Sequence, residues 1–304
     1  MKVVAIAVMA LAIPGSAWAA DLPLKVPVAL PESGVPTSAF FVGAGGSYNS
    51  VGFVNQSTYG KGTSFTPPTG LQAAIIGSAA GSTDVNLETQ STLAPSIQAG
   101  YFRHFPDSHW MWGGKFTYSY LGRSSSYNNL LIPQAGGFQQ GGVFTPFTGN
   151  YVVQSYRQTA IQQMSFMPFV GRSFDKSYVY FGAGPTLTQT KTSIDGLTGF
   201  ANINGVTTSI TGLGNGANYS TIQWVWGAGA VIGATYFIDS TWFVDLSYSY
   251  SMTGNKTSDW GGPWSDSPLL GATRTGTNTG TSSGNVVTQA FTVTINKALV
   301  AGFR

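Results

Sequence analysis

From position 242 to 252 the sequence alternates without a slip. Trp242, Val244, Leu246, Tyr248, Tyr250 and Met252 fall on one side, and Phe243, Asp245, Ser247, Ser249 and Ser251 on the other. Successive side chains of a β-strand point to opposite faces, so this is a strand with one apolar, aromatic face and one polar or small face. Residues 110–120 repeat the arrangement: Trp110, Trp112, Phe116, Tyr118 and Tyr120 oppose Met111, Gly113, Lys115, Thr117 and Ser119. A whole face of Trp, Tyr, Phe and Val must be covered by another sheet or by lipid, which leaves few folds open.

Three stretches share a second pattern: HFPDSHWMWGGKFTYSY (104–120), SFDKSYVYFGAGPTLTQ (173–189) and YFIDSTWFVDLSYSYS (236–251). Each sets an aromatic before an Asp (Asp107, Asp175, Asp239), then a polar residue or two, then an alternating run. The recurrence reads as a repeated hairpin, a repeat of pattern rather than of sequence. Runs at 93–102, 162–171 and 222–237 supply the strands before the turns, and 39–49 and 286–296 flank the set. The total is eight strands, with short Asp-containing turns on one side. The connections on the other side, 50–92, 121–153, 193–220 and 253–285, are long and rich in Gly, Ser, Thr, Asn and Pro. Short turns alternating with long loops is the signature of a transmembrane barrel.

The segment WVWGAGAVIGATYFID (224–239) tests this reading. Gly227, Gly229 and Gly233 approach a dinucleotide fingerprint, but Asp239 comes too early and no helix or βαβ unit follows. It is too short for a membrane helix. With period two it resolves: Trp224, Trp226, Ala228, Ala230, Ile232, Ala234 and Tyr236 make an apolar face with aromatics near both ends. The glycine face suits a crowded lumen, where glycine admits a bulky side chain from across the barrel.

Composition agrees. Charged residues are 8% of the chain, Gly numbers 40 of 304 residues, and aromatics reach 13%. Ordinary soluble domains carry about 25% charge. The net charge of +3 comes from scattered residues with no basic stripe, so nucleic-acid binding is not expected. There is no Cys. The N-terminus, with Lys2, a short apolar run, Pro14-Gly15 and Ala17-Trp18-Ala19, reads as a secretory signal cut after Ala19. Residues 20–38 read as a Pro-rich periplasmic leader and 39–304 as the barrel. Backbone in lipid must be fully hydrogen-bonded, so strands cross only as a closed barrel. A soluble β-sandwich would have to explain the wholly apolar strand faces and the four long loops. A sixteen-stranded porin would need twice as many turns; pairing within the long loops, as around 201–212, is expected to extend strands above the membrane instead.

In AADLPLKVP after the signal, FVGAGGSYN in the first strand, APSIQAGYFR in the second, and the hairpin order, the chain resembles the small Gram-negative outer-membrane barrels, the OmpA-like family. It is most similar to the surface-antigen barrels of α-proteobacteria. The resemblance covers roughly 39–297 and implies an eight-stranded antiparallel up-and-down transmembrane β-barrel, exported by Sec and inserted by the barrel-assembly machinery. Its surroundings would be outer-membrane lipid and lipopolysaccharide. The chain departs from the family in ending on Phe303-Arg304 rather than on an aromatic, and in showing no C-terminal soluble domain, so peptidoglycan binding does not carry over.

The expected aromatic girdle is Trp110, Trp112, Tyr118, Tyr120 and Trp224, with Trp226, Tyr236, Trp242, Tyr248 and Tyr250. Lys115 and Asp245 fall on inward faces at similar height. They are expected either to pair, directly or through Gln98, Gln163 or water, or to stand as two separately hydrated charges. His104 and His109 flank a turn without metal-ligand spacing or an acid cluster. No catalytic residue, cofactor site or metal site is read from the sequence. Aromatics in 128–150 and 258–268 either form a binding surface or pack together to close the barrel top. The expected role is non-enzymatic and structural or surface-presenting. The alternatives are a narrow passive pore for small polar solutes or ions, and an adhesin or receptor with an extracellular ligand at its loops.

Overall fold

The computed structural model describes residues 34–210, 216–267 and 272–299. The expected signal with Ala17 and Ala19, nearly all of the leader, and the terminal Phe303-Arg304 lie outside these residues. Eleven strands are formed among the described residues: β1 (Ser38–Thr66), β2 (Ile75–Val85), β3 (Gln90–His104), β4 (Trp110–Gln140), β5 (Val143–Ser173), β6 (Ser177–Ile203), β7 (Val206–Ser209), β8 (Ala217–Phe237), β9 (Trp242–Thr253), β10 (Lys256–Asp266) and β11 (Arg274–Leu299). Eight of them, β1, β3, β4, β5, β6, β8, β9 and β11, pair antiparallel in a closed ring, with β11 returning to β1 from Phe40↔Leu299 upward. Closure removes the exposed strand edges that an open sheet would leave.

The three short turns link β3 to β4, β5 to β6 and β8 to β9. Each is fastened by the backbone: Phe105 N donates to Trp110 O at 2.9 Å, Phe174 N to Ser177 O at 2.7 Å and Ile238 N to Trp242 O at 2.8 Å. In the last, Asp239 Oδ1 accepts from the amides of Thr241 and Trp242, both at 2.7 Å. Short Asp side chains favour such turns because they bond to backbone just ahead of them.

The long connections pair, as expected around 201–212, and they do so over far more of their length than the sequence indicated. Most of 50–92, 121–153, 193–220 and 253–285 is not loop but ladder. β4 and β5 stay paired from Trp110↔Arg172 to Gln140↔Val143. β2 continues the seat of β3 beside β1, and β10 continues that of β9 beside β11. β7 folds back on the tip of β6 as a small hairpin, Phe200↔Ser209 to Ile203↔Val206. None of these adds a span; they extend the ring into a tower above it. The reason is the edge problem. Each strand leaving the ring carries an unsatisfied row of N–H and C=O groups, and the neighbouring strand satisfies them.

Four of the tower strands, β1, β4, β5 and β6, change face on the way, and β1 and β6 show how. β1 buries Val51 and Phe53, then Gln56 and Thr58. The switch falls at Asn55, with φ 53°, where the pairing with β11 slips by one residue between Val54 and Ser57. β6 buries Thr190, Thr192 and Ile194, then Leu197 and Ala201, with the slip at Gly196, φ 67°. One extra residue in a bulge moves every later side chain to the opposite face.

Candidate functional site

The candidate site is the barrel interior, which is filled in layers. At the turn end, Phe41, Phe102, Phe169, Tyr178, Phe237 and Phe243 pack with Met111 into one buried cluster. Rings meet at 4.8 Å for Phe237–Phe243 and 5.5 Å for Phe41–Phe243. This corrects the expectation of a small or polar inward face: the inward positions nearest the turns are aromatic. Glycine makes room for them, but from the side. Phe41, Phe169 and Tyr180 each sit directly opposite a glycine of the paired strand, Gly100, Gly113 and Gly233. A Cβ at Gly233 would lie 2.4 Å from the Tyr180 ring, and one at Gly113 would lie 2.5 Å from that of Phe169. At these three glycines the bulky partner comes from the adjacent strand; at Gly229, Gly60 and Gly62 it comes from a strand not paired with the glycine's own, Met167 and Tyr151 of β5, as the sequence suggested.

Directly above sits the charged layer. Lys115 on β4 and Asp245 on β9 form a direct pair, Nζ to Oδ2 at 2.9 Å, both nearly sealed from solvent. Lys115 also donates to Tyr180 Oη at 2.6 Å and to Ser247 Oγ at 3.4 Å. Tyr180 in turn donates to Asp245 Oδ1 at 2.8 Å. Gln98 Nε2 donates to Asp245 Oδ2 at 3.1 Å and to Asn296 Oδ1 at 2.7 Å. With Thr235 Oγ1 of β8 donating to Asp245 Oδ1 at 3.5 Å, five strands, β3, β4, β6, β8 and β9, converge on one carboxylate and one ammonium, and β11 holds Gln98 through Asn296. A buried ion pair persists only when its remaining lone pairs and protons are met in this way. Gln163 does not join: its Nε2 bonds to Thr188 at 3.1 Å and Ser251 at 3.0 Å on the far side of a cavity of about 40 Å³. Gln98 Oε1, at the edge of this cavity, has no partner among the described residues.

Higher still the interior alternates. Val51, Phe53, Ala94, Leu121, Ala160 and Val286 form an apolar layer. A polar layer follows around Gln56 and Gln158, enclosing a cavity of about 20 Å³. Within the tower Leu130, Ile132, Tyr151, Val153, Tyr156 and Trp260 close together. Of the aromatics in 128–150 and 258–268, Trp260 packs into this layer, Phe147 is buried in a separate cluster with Phe138 against it, and Phe144 is exposed. Burial pushes the Tyr151 and Tyr156 phenols above their ordinary range, so they stay protonated donors; Tyr151 bonds to Asn278 Oδ1 at 2.9 Å.

The outer face of the ring is the counterpart. Trp110, Trp112, Tyr120, Trp226, Tyr236, Trp242, Tyr248 and Tyr250 are exposed, while Tyr118 and Trp224 are half-buried. Between them lie Phe116, Phe166, Phe181, Ile232, Leu246 and Val293, also exposed. A belt from Trp242 to Tyr250 rises about 20 Å when strands of about 3.3 Å per residue tilt by about 40°. His104 caps the rim, its Nδ1 3.1 Å from Thr37 O, and the His109 carbonyl accepts from Ser173 N at 2.8 Å. Among the described residues no three His, Cys, Asp or Glu gather as metal ligands.

The sequence named Lys115, Asp245 and Gln98 as an interacting set but not Tyr180, Asn296 or Ser247 as their partners, although it read Ser247 on the same face as Asp245. The available signal was that Tyr180 faces a glycine in the opposing strand, legible only once the register is known.

No family model and no curated protein matches the sequence. Several solved structures are similar to the chain, and they are outer-membrane proteins. The outer membrane protein OprG from Pseudomonas aeruginosa is 10% identical, with a TM-score of 0.36 over 88% of this chain and 99% of that one. Neisserial surface protein A is 12% identical, with a TM-score of 0.35 over 86% and 99%. The outer membrane protease OmpT from Escherichia coli is 11% identical, with a TM-score of 0.23 over 81% and 96%.

Proposed function

We propose that the chain is an outer-membrane barrel with a sealed lumen, whose work is to hold a rigid β-tower outside the membrane as a presenting surface. The observation that carries this reading is the interior. From the aromatic cluster at the turns to the tyrosines of the tower, the described side chains pack level upon level around cavities of about 40 and 20 Å³. An eight-stranded barrel is only just wide enough for its own side chains. A conducting path would have to displace both the aromatic cluster and the Lys115–Asp245 layer. The exposed aromatic belt supports membrane insertion, since an apolar surface of this extent on a soluble protein would drive aggregation. The tower supports the presenting role. Residues 121–140 of β4 run about 65 Å along the strand beyond the belt, at about 3.3 Å per residue. Its outer face offers polar residues such as Ser124, Ser126 and Asn128.

The test is single-channel recording of the refolded chain in a planar bilayer, after heat-modifiable mobility on a gel shows that the barrel has formed. A folded, silent barrel is expected. Steady, reproducible conductance steps would instead make it a narrow pore.

A further inference from the structure

Where the belt gives way to the tower, three rows of residues cross β4, β5 and β6 in register. The lowest belongs to the girdle: Tyr120, Gln162 and Gln189, with Trp224 of β8 beside them. Its polar groups satisfy one another, Tyr118 Oη donating to Gln162 Oε1 at 2.6 Å and Gln162 Nε2 to Gln189 Oε1 at 2.9 Å. The second row is Ser124, Thr159 and Lys191, and the third is Ser126, Arg157 and Ser193. Along each strand these positions alternate with buried inward residues, Ser125 on β4, Tyr156 and Gln158 on β5, Thr190 and Thr192 on β6. Arg157 and Lys191 therefore project from the outer wall.

The two cations are diagonal neighbours on paired strands, which sets them about 7–8 Å apart, close enough to repel. Neither makes an ion pair or a side-chain hydrogen bond among the described residues, where the ion pairs are Lys115–Asp245 and Arg274–Asp266. Asp195, one row higher opposite Ser155, pairs with neither. Between the cations' rows, Ser124 Oγ and Thr159 Oγ1 bond to each other at 2.8 Å. Two hydroxyls joined in this way keep one proton to donate elsewhere. The patch thus offers charge and donors and has no counter-ion of its own.

We propose that this patch binds the phosphate group of an outer-leaflet lipid, Arg157 and Lys191 taking its oxygens from two sides while the lipid's chains descend along the belt. The charges fit, since a guanidinium and an ammonium both bond well to phosphate. The height fits, because the patch stands one row above the aromatic girdle, the level at which head groups meet water. The wall beneath also fits: Trp226 and Phe166, 66% and 51% exposed, give the chains an apolar strip that a free anion could not use. The proposal rests on the barrel standing in the membrane with its tower outside.

The experiment is native mass spectrometry of the refolded mature chain released from detergent micelles. The probes are phosphatidic acid and a diacylglycerol with the same two chains, which differ only in the phosphate. A saturable phosphatidic acid adduct is expected, with the diacylglycerol retained about tenfold less. Arg157→Gln with Lys191→Gln should lower phosphatidic acid retention about tenfold and leave diacylglycerol unchanged. Lys61→Gln, which removes a cation from β1, should change neither. Inorganic phosphate in large excess should displace no more lipid than chloride at equal ionic strength. Each variant is first shown to be heat-modifiable. Wild-type retention by the folded double variant would overturn the proposal, and so would an equal loss in Lys61→Gln, which would reduce the effect to net charge. Displacement by inorganic phosphate alone would overturn the lipid as the source of the phosphate. Because the readout is lipid retention and not conductance, it fails separately from the sealed lumen.

Discussion

The belt and the tower are two stretches of one barrel with opposite exteriors. Around the belt, Trp226, Ile232 and Leu246 face outward and Asp245, Gln98 and Ser247 face inward. In the tower, Ser124, Ser126 and Asn128 face outward, and Leu130, Ile132, Tyr151 and Tyr156 face inward. The solvent explains the inversion. Lipid rewards apolar groups outside and gives charge nowhere to go but a fully bonded interior, whereas water restores the usual apolar core. The ladders differ too. The ring is paired all round, while in the tower β8 and β10 are joined by side-chain bonds such as Gln223 Nε2 to Ser258 Oγ at 2.7 Å and Lys256 Nζ to Trp224 O at 2.9 Å. Water can satisfy the unpaired groups of a tower; within lipid it cannot.

The sharpest way to break this contrast is at the interior charges of the belt. Asp245→Ala leaves Lys115 buried and unpaired and should cost about 3–5 kcal/mol in urea unfolding from lipid vesicles. The double replacement Lys115→Met with Asp245→Leu should recover most of that loss; a double variant as unstable as the single would show that the pair is not the element at stake. Next in size is the exterior. Ile232→Arg, on the lipid face, should cost about 2–4 kcal/mol near the midplane, while Ser126→Arg on the tower should stay within about 0.5 kcal/mol. Equal costs at the two sites would remove the distinction between them. The smallest effect is expected at the turn below the belt. Two backbone amides and the Thr241 hydroxyl hold the Asp239 carboxyl below its usual range. A depressed folded pKa gives stability that is present above the ordinary carboxylate range and lost as pH falls through the lowered value. Amide exchange at Trp242 should therefore quicken only in acid. In Asp239→Asn the same exchange should be independent of pH beyond the intrinsic rate, and an acid response retained by that variant would refute the assignment.

The belt was legible in the sequence and the tower was not. In residues 242–252 every outward position is apolar, so period two stands out against the inward serines. In 121–140 the inward Leu130 and Ile132 are diluted by Gly, Ser and Gln, and the outward face is equally polar, which leaves no contrast to read. Bulges at Asn55 and Gly196 also reset the face partway along β1 and β6, so no single period runs through.

The sequence alone determined the alternation, the eight spans, the Asp turns and the inward placement of Lys115 and Asp245, because each depends on residues two to five apart. Tertiary structure decided what those inward groups meet. Tyr180 is 65 residues from Lys115, Asp245 is 130 from it, and Gln98 is 147 from Asp245. Their meeting depends on barrel closure and on the register of every strand between them, a sum of small pairing choices that no local pattern records.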